Sequence, residues 1–273
     1  MATKKAATIK KKAPAVKAAA TKTTVKTVPA TAKKQTLGQH IENSLQSPRL
    51  WRSLAAEFIG TFMLASVVIA GQGQPIFVLF ALVGIVLLIG GISGAHVNPA
   101  ITVGAWATRR IGWLRAVGYI FAQFFGAAAA FFALNAFLSG APALSAEAAA
   151  YGQQAPALFK AIAISTIEGR EWFIFFAEVL GTAILAFAVA NATRIKDLLT
   201  GAFSVGLGIF IALMVTVTIG GFIAASSIIN PAIALALQAY DPTLWAYAIY
   251  ALAPVIGGVL GFFIFDLVRG KDA

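Results

Sequence analysis

The sequence predicts an all-α membrane protein with six transmembrane helices and two re-entrant half-helices, arranged as two inverted repeats. The first observation behind this class is composition: 59% of the residues are hydrophobic and only 11% are charged, whereas ordinary soluble domains are roughly 45–50% apolar. The second is the length of the apolar stretches, since Glu57 is the one charged residue between Leu54 and Ile101. The third is an internal repeat. Together they exclude a compact soluble domain of this size.

Six segments have the roughly 20 apolar residues that a membrane span needs. They cover residues 51–71, 75–94, 113–138, 171–191, 199–220 and 244–268. Two shorter apolar segments, 98–108 and 230–240, have only about ten residues each, or about 15 Å of helix, which is half of a bilayer core. They are therefore predicted to enter the membrane without crossing it.

Each short segment begins with the triplet Asn-Pro-Ala. The six residues are Asn98, Pro99, Ala100, Asn230, Pro231 and Ala232. Proline is well tolerated at the first helical position, and asparagine is among the best N-cap residues. Each triplet therefore predicts the start of a half-length helix. The alternative is a pair of interfacial loops with helical stubs.

The chain also repeats itself. The stretches "AEFIGTFMLA" (56–65) and "AEVLGTAILA" (177–186) share six of ten residues, and each opens a unit of span, span, half-helix and span. The halves cover about 50–138 and 171–268, with a connector at 139–170. Because each half holds an odd number of full spans, the second half must be inverted relative to the first. Inverted repeats place their sites near the bilayer midplane, so the two triplets should meet there.

The basic residues predict the orientation. With six spans, all but two of the 21 lysines and arginines share one side with both termini, and the exceptions, Lys160 and Arg170, lie in the connector. By the positive-inside rule both termini are cytoplasmic. The chain has no cysteine and no recognisable targeting signal, which is compatible with a bacterial plasma membrane.

Residues 1–41 are predicted to form a disordered basic tail ahead of a membrane domain at 42–273. The tail contains ten lysines and no carboxylate, and no apolar stripe persists in it. Anionic lipid would attract such lysines by about 1 kcal/mol each near the surface, and nucleic acid would also bind them. A solvated tail without a dedicated partner is the third alternative.

Broken helices at membrane depth predict a pore. Irregular backbone is tolerated there only where it is buried in protein or lines a water-filled cavity. The N-terminal end of each half-helix carries partial positive charge, and the two asparagine amides can donate hydrogen bonds to a passing oxygen. Two opposed positive ends disfavour cations, including hydronium, and let a neutral solute pass. The sequence therefore predicts a pore for small uncharged molecules.

The stretches "SGAHVNPAITVG" and "SIINPA", with Glu-x-x-x-Thr opening both halves, resemble the aquaporin/glycerol-facilitator (major intrinsic protein) family. The resemblance runs from about Leu50 to Asp266. It implies a passive channel for water or small neutral solutes such as glycerol. It also implies a homotetramer in the bilayer with one pore per subunit, and no catalytic residue, metal or cofactor. The rival hypotheses are a membrane tether with a poorly conducting pore and a proton-coupled transporter.

The resemblance also implies roles for a pair of membrane-embedded carboxylates. Glu57 and Glu178 would each accept hydrogen bonds from a loop that lines the pore, supported by Thr61 and Thr182 four residues further on. The proton-coupled alternative assigns the carboxylates to a relay instead, because ionisable groups in membrane spans are costly and usually functional. His96 would line the pore on the cytoplasmic side, with a pH-dependent gate as its alternative role.

The narrow filter is where the sequence departs from the family. An arginine usually follows the second triplet, and here that residue is Ile233. The resemblance places the other filter positions at Val78, Thr218 and Ser227. A ring of these four side chains would be wider and more apolar than a filter that passes water alone. It would also lack the fixed positive charge of the arginine, which is one barrier to cations. Small residues in the last span are expected to permit close helix packing, namely Gly257, Gly258 and Gly261.

Overall fold

The computed structural model describes residues 36–270, and helices are the only regular elements among them. A 3₁₀ turn, Ile164–Thr166, lies in the connector, and a π-helical turn, Ala248–Leu252, joins the last two helices. The helices are α1 (Leu37–Leu45), α2 (Pro48–Ala70), α3 (Pro75–Ser93), α4 (Pro99–Ala107), α5 (Trp113–Ser139), α6 (Ala146–Ala150), α7 (Glu171–Ala192), α8 (Leu198–Phe222), α9 (Pro231–Ala236), α10 (Leu244–Tyr247) and α11 (Ala253–Arg269).

Six of the described helical segments are long and apolar enough to cross a membrane. They are α2, α3, α5, α7, α8 and the continuous segment Leu244–Arg269, and their bounds lie within three residues of the predicted spans. Both half-helices are present, but α9 ends at Ala236 and not near residue 240. It ends early because Gln238 adopts a left-handed φ of 57° and turns the chain. The six-plus-two fold is thus confirmed.

The predicted boundary of the tail is wrong at its end. Residues 37–41 belong to α1, which begins with a capping box: Thr36 Oγ1 accepts from Gln39 N at 3.3 Å, and Gln39 Oε1 accepts from Thr36 N at 3.1 Å. Such reciprocal capping satisfies two backbone donors at a helix start. The ten lysines precede this helix and lie outside the described residues.

Glycines in α5 and α11 allow close helix packing in the same way within each half of the repeat. A Cβ on Gly126 would overlap the carbonyl oxygen of Phe58 in α2, and a Cβ on Gly257 would overlap that of Val179 in α7. Phe58 and Val179 are equivalent positions of the repeated stretch. Gly258 and Gly261 likewise abut the carbonyl oxygens of Ala100 and Ala183. The predicted close packing of the last span therefore occurs within the chain.

Candidate pore and its loop supports

Each half-helix begins at its Asn-Pro-Ala triplet and is capped by the asparagine. Asn98 Oδ1 accepts from Ala100 N at 2.8 Å, and Asn230 Oδ1 accepts from Ala232 N at 3.0 Å. The asparagines have extended φ and ψ, and the prolines occupy the first helical position. Both caps follow from the residue preferences of helix starts.

The asparagines also join the two half-helices to each other. Asn98 Nδ2 donates to the carbonyl oxygen of Ile229 at 2.9 Å, and Asn230 Nδ2 donates to that of Val97 at 2.9 Å. All four residues are buried. The two triplets therefore meet inside the protein, as the inverted repeat requires.

Val97 and Ile229, which precede the two asparagines, have an unusual backbone. Their φ angles are 40° and 51°, a region that β-branched residues rarely adopt. Strain of this kind costs on the order of 1–3 kcal/mol per residue and persists only where surrounding contacts impose it. Here it occurs in the two residues whose carbonyl groups accept from the opposite asparagine.

In the first half, the backbone before Asn98 is held in this conformation by Glu57, which is fully buried in α2. Its Oε1 accepts from His96 N at 3.0 Å, and its Oε2 accepts from Val97 N at 2.7 Å. Gln123 Nε2 donates to the same Oε2 at 2.8 Å. Both carboxylate oxygens are therefore engaged by the first loop and by α5.

Glu178 makes the equivalent contacts in the second half and is also fully buried. Its Oε1 accepts from Ile228 N at 2.7 Å and from Ser227 Oγ at 2.9 Å, and its Oε2 accepts from Ile229 N at 2.7 Å. Each carboxylate thus holds the two backbone N–H groups that precede its own asparagine.

Thr61 and Thr182 do not support the loops, contrary to the expectation for them. The hydroxyl of Thr182 donates to the carbonyl oxygen of Glu178 in its own helix, at 2.8 Å, and the buried hydroxyl of Thr61 has no hydrogen-bond partner. Thr182 instead packs against α11, where a Cβ on Gly257 would lie 3.0 Å from its own Cβ. A small β-branched residue fits such a close helix contact.

The sequence reasoning missed a pair of tyrosines that hold the loop entrances. Tyr119 O–H donates to the carbonyl oxygen of Ser93 at 2.6 Å, and Tyr250 O–H donates to that of Ser226 at 3.0 Å. The tyrosines lie 131 residues apart, the same spacing as Gly126 and Gly257. An alignment of the third and sixth spans at this spacing would have found them.

A cavity of about 230 Å³ lies on the connector side of the paired asparagines. Three of the four predicted filter residues line it, Val78, Ser227 and Ile233, together with Asn230. The other lining residues are Leu64, Val68, Gln72, Gly73, Phe159, Lys160, Ile162, Ile209, Leu213, Val217, Ala225, Ser226, Ile228 and Leu237. We call this space the connector-side cavity.

The fourth filter position, Thr218, is not among these lining residues. Thr218 is exposed on α8, and its hydroxyl donates to the carbonyl oxygen of Met214 at 2.7 Å. Val217 lines the cavity in its place. The position that the resemblance implies for the filter in the fifth span is therefore displaced by one residue from the residue that lines the cavity.

A second cavity, of about 190 Å³, lies on the side of the chain termini and includes Val86, Gly94 and Val205. Val205 lies one helical turn before Ile209, which lines the connector-side cavity. Residues four apart share one helix face, so one face of α8 runs along both cavities.

His96 is not among the lining residues of either cavity, although it lies beside the second one. Its imidazole packs edge-on against Tyr119, with ring centroids 5.4 Å apart, and its Nδ1 lies 3.2 Å from Thr102 Oγ1. A Cβ on Gly94, which lines that cavity, would lie 3.6 Å from the imidazole. His96 is only partly buried, and it lies beside the second cavity without lining it.

Inverted halves, six spans and two half-helices that meet at capped asparagines define a class of integral membrane pore proteins. The sequence profile of the major intrinsic protein family matches residues 44–265. The chain belongs to this family, whose members are channels and not enzymes. It is therefore an integral membrane channel protein for water or small solutes.

Individual relatives agree with this assignment. The chain is 34% identical over 233 residues to glycerol uptake facilitator protein-like 6 of Lactiplantibacillus plantarum, covering 81% of this chain and 100% of that protein. It is 32% identical over 198 residues to aquaporin AqpM of Methanothermobacter thermautotrophicus, covering 70% and 74% respectively. The aquaglyceroporin structure from Plasmodium falciparum shares its fold, with a TM-score of 0.61 at 20% identity over 81% of this chain and 97% of that one.

Proposed function

We propose that this protein is a passive channel that admits both water and small polyols such as glycerol, driven by the solute gradient alone. The observation that carries this proposal is the lining of the connector-side cavity. Val78, Val217 and Ile233 present apolar surface there, whereas Ser227 and Asn230 contribute polar atoms. A polyol has carbon on one side and hydroxyl groups on the other, so a wall with both characters suits it.

Hydrogen-bond donors at the junction of the half-helices favour a neutral solute. A primary amide has two donor hydrogens, and the Nδ2 atoms of Asn98 and Asn230 each use one on the opposite loop. The second hydrogen of each amide is available to a passing oxygen. The opposed starts of α4 and α9 add positive potential, which disfavours cations and hydronium.

We assign Glu57 and Glu178 to loop support and not to a proton relay. Each carboxylate has both oxygens occupied by donors, including two successive loop N–H groups. Protonation would turn an acceptor into a donor that faces other donors. A carboxylate in that position is poorly suited to exchanging protons with solute, and this favours the passive channel over the coupled transporter.

We further propose that the protein forms homotetramers in a bacterial plasma membrane with both termini in the cytoplasm. The uneven distribution of basic residues supports the orientation. Large apolar side chains exposed along α5, such as Phe121, Phe125 and Phe132, suit contact with lipid or a neighbouring subunit.

The basic segment before α1 is proposed to bind anionic lipid, with nucleic acid as the alternative. Deleting residues 1–35 should leave solute flux unchanged and should abolish salt-sensitive binding of the detergent-solubilised protein to phosphatidylserine vesicles. Binding to duplex DNA at physiological salt, with no preference for anionic over neutral vesicles, would favour the alternative.

The function is tested by stopped-flow light scattering on proteoliposomes that contain the full chain. Water and glycerol flux above that of protein-free vesicles supports the channel. Absence of both supports the tether, and glycerol accumulation driven by a pH gradient supports the coupled transporter. Replacing Ile233 with arginine should slow glycerol by roughly tenfold while slowing water less, because a long charged side chain narrows the cavity wall at that point.

A further inference from the structure

The connector lies across the mouth of the connector-side cavity and is anchored there. Phe159, Lys160 and Ile162 line the cavity. The backbone N–H of Ala161 donates to the carbonyl oxygen of Leu237 at 3.0 Å, and that of Ile162 donates to Ser226 Oγ at 2.9 Å. The two acceptors, Ser226 and Leu237, lie on either side of the segment that includes Ser227 and the start of α9 with Ile233, so the position of the connector is fixed relative to the filter.

Phe159 provides a further contact on the opposite side of the mouth. Its ring packs against the turn between α2 and α3, where a Cβ on Gly73 would lie 3.1 Å from the ring. Gly73 has a φ of 68°, in the left-handed region that favours glycine, so its open face receives the ring. Lys160 therefore lies between anchored neighbours on both sides.

Lys160 is the one charged side chain among the described residues that line this cavity. It is exposed, and it forms no ion pair with any carboxylate of residues 36–270; the ion pair found there joins Arg110 to Asp266. The ammonium group of Lys160 thus has no carboxylate partner within the described part of the chain. Its positive charge is therefore left uncompensated at the mouth of the connector-side cavity.

The same cavity wall contains Ile233, at the position where the family usually has arginine. We propose that Lys160 supplies the positive charge that this mouth lacks at Ile233 and that it repels small organic and inorganic cations while leaving neutral solutes unaffected. The proposal rests on the proposed channel function. It assigns a specificity role to the connector, at a residue that pairs with no carboxylate among residues 36–270.

Electrostatics make a charge at the mouth effective without contact. Clefts with low-dielectric walls focus the field of a charge and change the local concentration of ions by about tenfold or more. The Debye length is about 30 Å at 0.01 M salt and about 3 Å at 1 M. The effect of Lys160 should therefore be large in dilute salt and nearly absent in concentrated salt, whereas a steric effect would not depend on salt.

Guanidinium and urea test this proposal because they have nearly the same planar shape and differ in charge. Influx of each into proteoliposomes is measured for the wild type, K160Q, K160E and K160R, and glycerol influx is measured in parallel. R170Q is the matched control, because Arg170 lies exposed in the same connector and does not line the cavity. At 10 mM salt, we expect guanidinium influx relative to glycerol to rise about twofold in K160Q and about fivefold in K160E.

K160R and R170Q should behave as the wild type, urea should be unaffected in every variant, and the increase in K160E should disappear at 1 M salt. Unchanged guanidinium influx in K160E with normal glycerol influx would overturn the role of Lys160 and leave the channel standing. An equal increase in R170Q would also overturn it. Failure of the wild type to pass glycerol or water would instead count against the channel itself.

The double variant K160E/I233R provides an independent check. If Lys160 substitutes for the missing arginine, restoring arginine at residue 233 should reduce the guanidinium increase of K160E by more than half, because the two charges would act on the same mouth. An undiminished increase would mean that Lys160 acts independently of the filter, which contradicts substitution. The thermal midpoint in detergent and water influx, which I233R slows less than glycerol, report whether the double variant has folded, and the single variants test the charge effect in either case.

Discussion

The side-chain amide of Asn98 donates a hydrogen bond to the carbonyl oxygen of Ile229, 131 residues further along the chain, at 2.9 Å. Asn230 makes the reciprocal bond to Val97. Each asparagine therefore caps its own half-helix with its oxygen and holds the opposite loop with its nitrogen. Because the two functions use different atoms of one amide, a substitution at either asparagine affects both halves of the protein.

Replacing Asn98 with alanine should destabilise the protein and reduce its flux. The change removes an N-cap, worth about 1 kcal/mol, and leaves the buried carbonyl oxygen of Ile229 unpaired, at about 1–3 kcal/mol. We expect a loss of about 2–4 kcal/mol in unfolding free energy, seen as a lower thermal midpoint in detergent, and markedly slower glycerol influx. Asn191→Ala is the control, since that amide contacts Ser204 in α8 at 3.3 Å and not the loops. Equal behaviour of the two variants would contradict the linking role of Asn98.

Replacing Glu178 with glutamine should loosen the second loop. The carboxylate accepts three hydrogen bonds, but an amide offers one acceptor oxygen and would turn its NH₂ group toward a donor. We expect a loss of about 1.5–3 kcal/mol, the value of a hydrogen bond to a charged group, together with slower flux. Glu168→Gln, in the exposed part of the connector, should change neither quantity.

The same variant distinguishes loop support from proton coupling. Under our assignment, glycerol influx in the wild type is independent of an imposed pH gradient, and E178Q lowers its rate without changing that independence. Uphill glycerol accumulation in the wild type that E178Q abolishes would instead identify Glu178 as part of a relay. Proteoliposomes with defined internal and external pH measure both.

Replacing Gly257 with alanine should destabilise the contact between α11 and α7. The new Cβ would overlap the backbone carbonyl oxygen of Val179, which cannot move without shifting α7. Overpacking of this kind costs typically about 1–3 kcal/mol. Gly221→Ala is the matched control because its Cβ would meet nothing within 4 Å, and alanine in an open helical position is favoured over glycine by about 0.5–1 kcal/mol. The two variants should therefore shift the thermal midpoint in opposite directions, and a common direction would contradict the close approach.

The parts of the fold that follow from short-range patterns could be predicted from the sequence. Apolar length predicts the six spans, and the Asn-Pro-Ala triplets predict where the half-helices begin, because proline and asparagine have strong preferences at helix starts. The loop contacts of Glu57 and Glu178 match the roles that the family resemblance implies. The repetition of costly carboxylates marks these positions as functional, and the resemblance supplies their role.

The parts of the structure that depend on loop length or on long-range contacts could not be predicted from the sequence. Four residues separate α3 from Asn98, whereas seven separate α8 from Asn230, and the second loop includes a left-handed turn at Ala224. The resemblance implies Thr218 at the filter, whereas the residue that lines the cavity is Val217. The roles of Thr182 and Tyr250 depend on how closely α11 approaches its neighbours, which is a property of tertiary packing that no local pattern records.

The difference between Val217 and Thr218 can be tested directly by placing tryptophan at each position. Val217 lines the connector-side cavity, whereas Thr218 is exposed on α8 and is not among the lining residues. An indole at residue 217 would occupy much of a cavity of about 230 Å³, so we expect V217W to slow glycerol by roughly tenfold or more, because passage depends on pore diameter. T218W would point its ring away from the cavity and should keep nearly normal flux.

Thermal midpoints in detergent show that both variants are folded. If T218W blocked glycerol and V217W let it pass, Thr218 would be the pore-lining residue, as the resemblance implies. Helix α8 would then be rotated about its axis so that Thr218 and not Val217 faces the cavity.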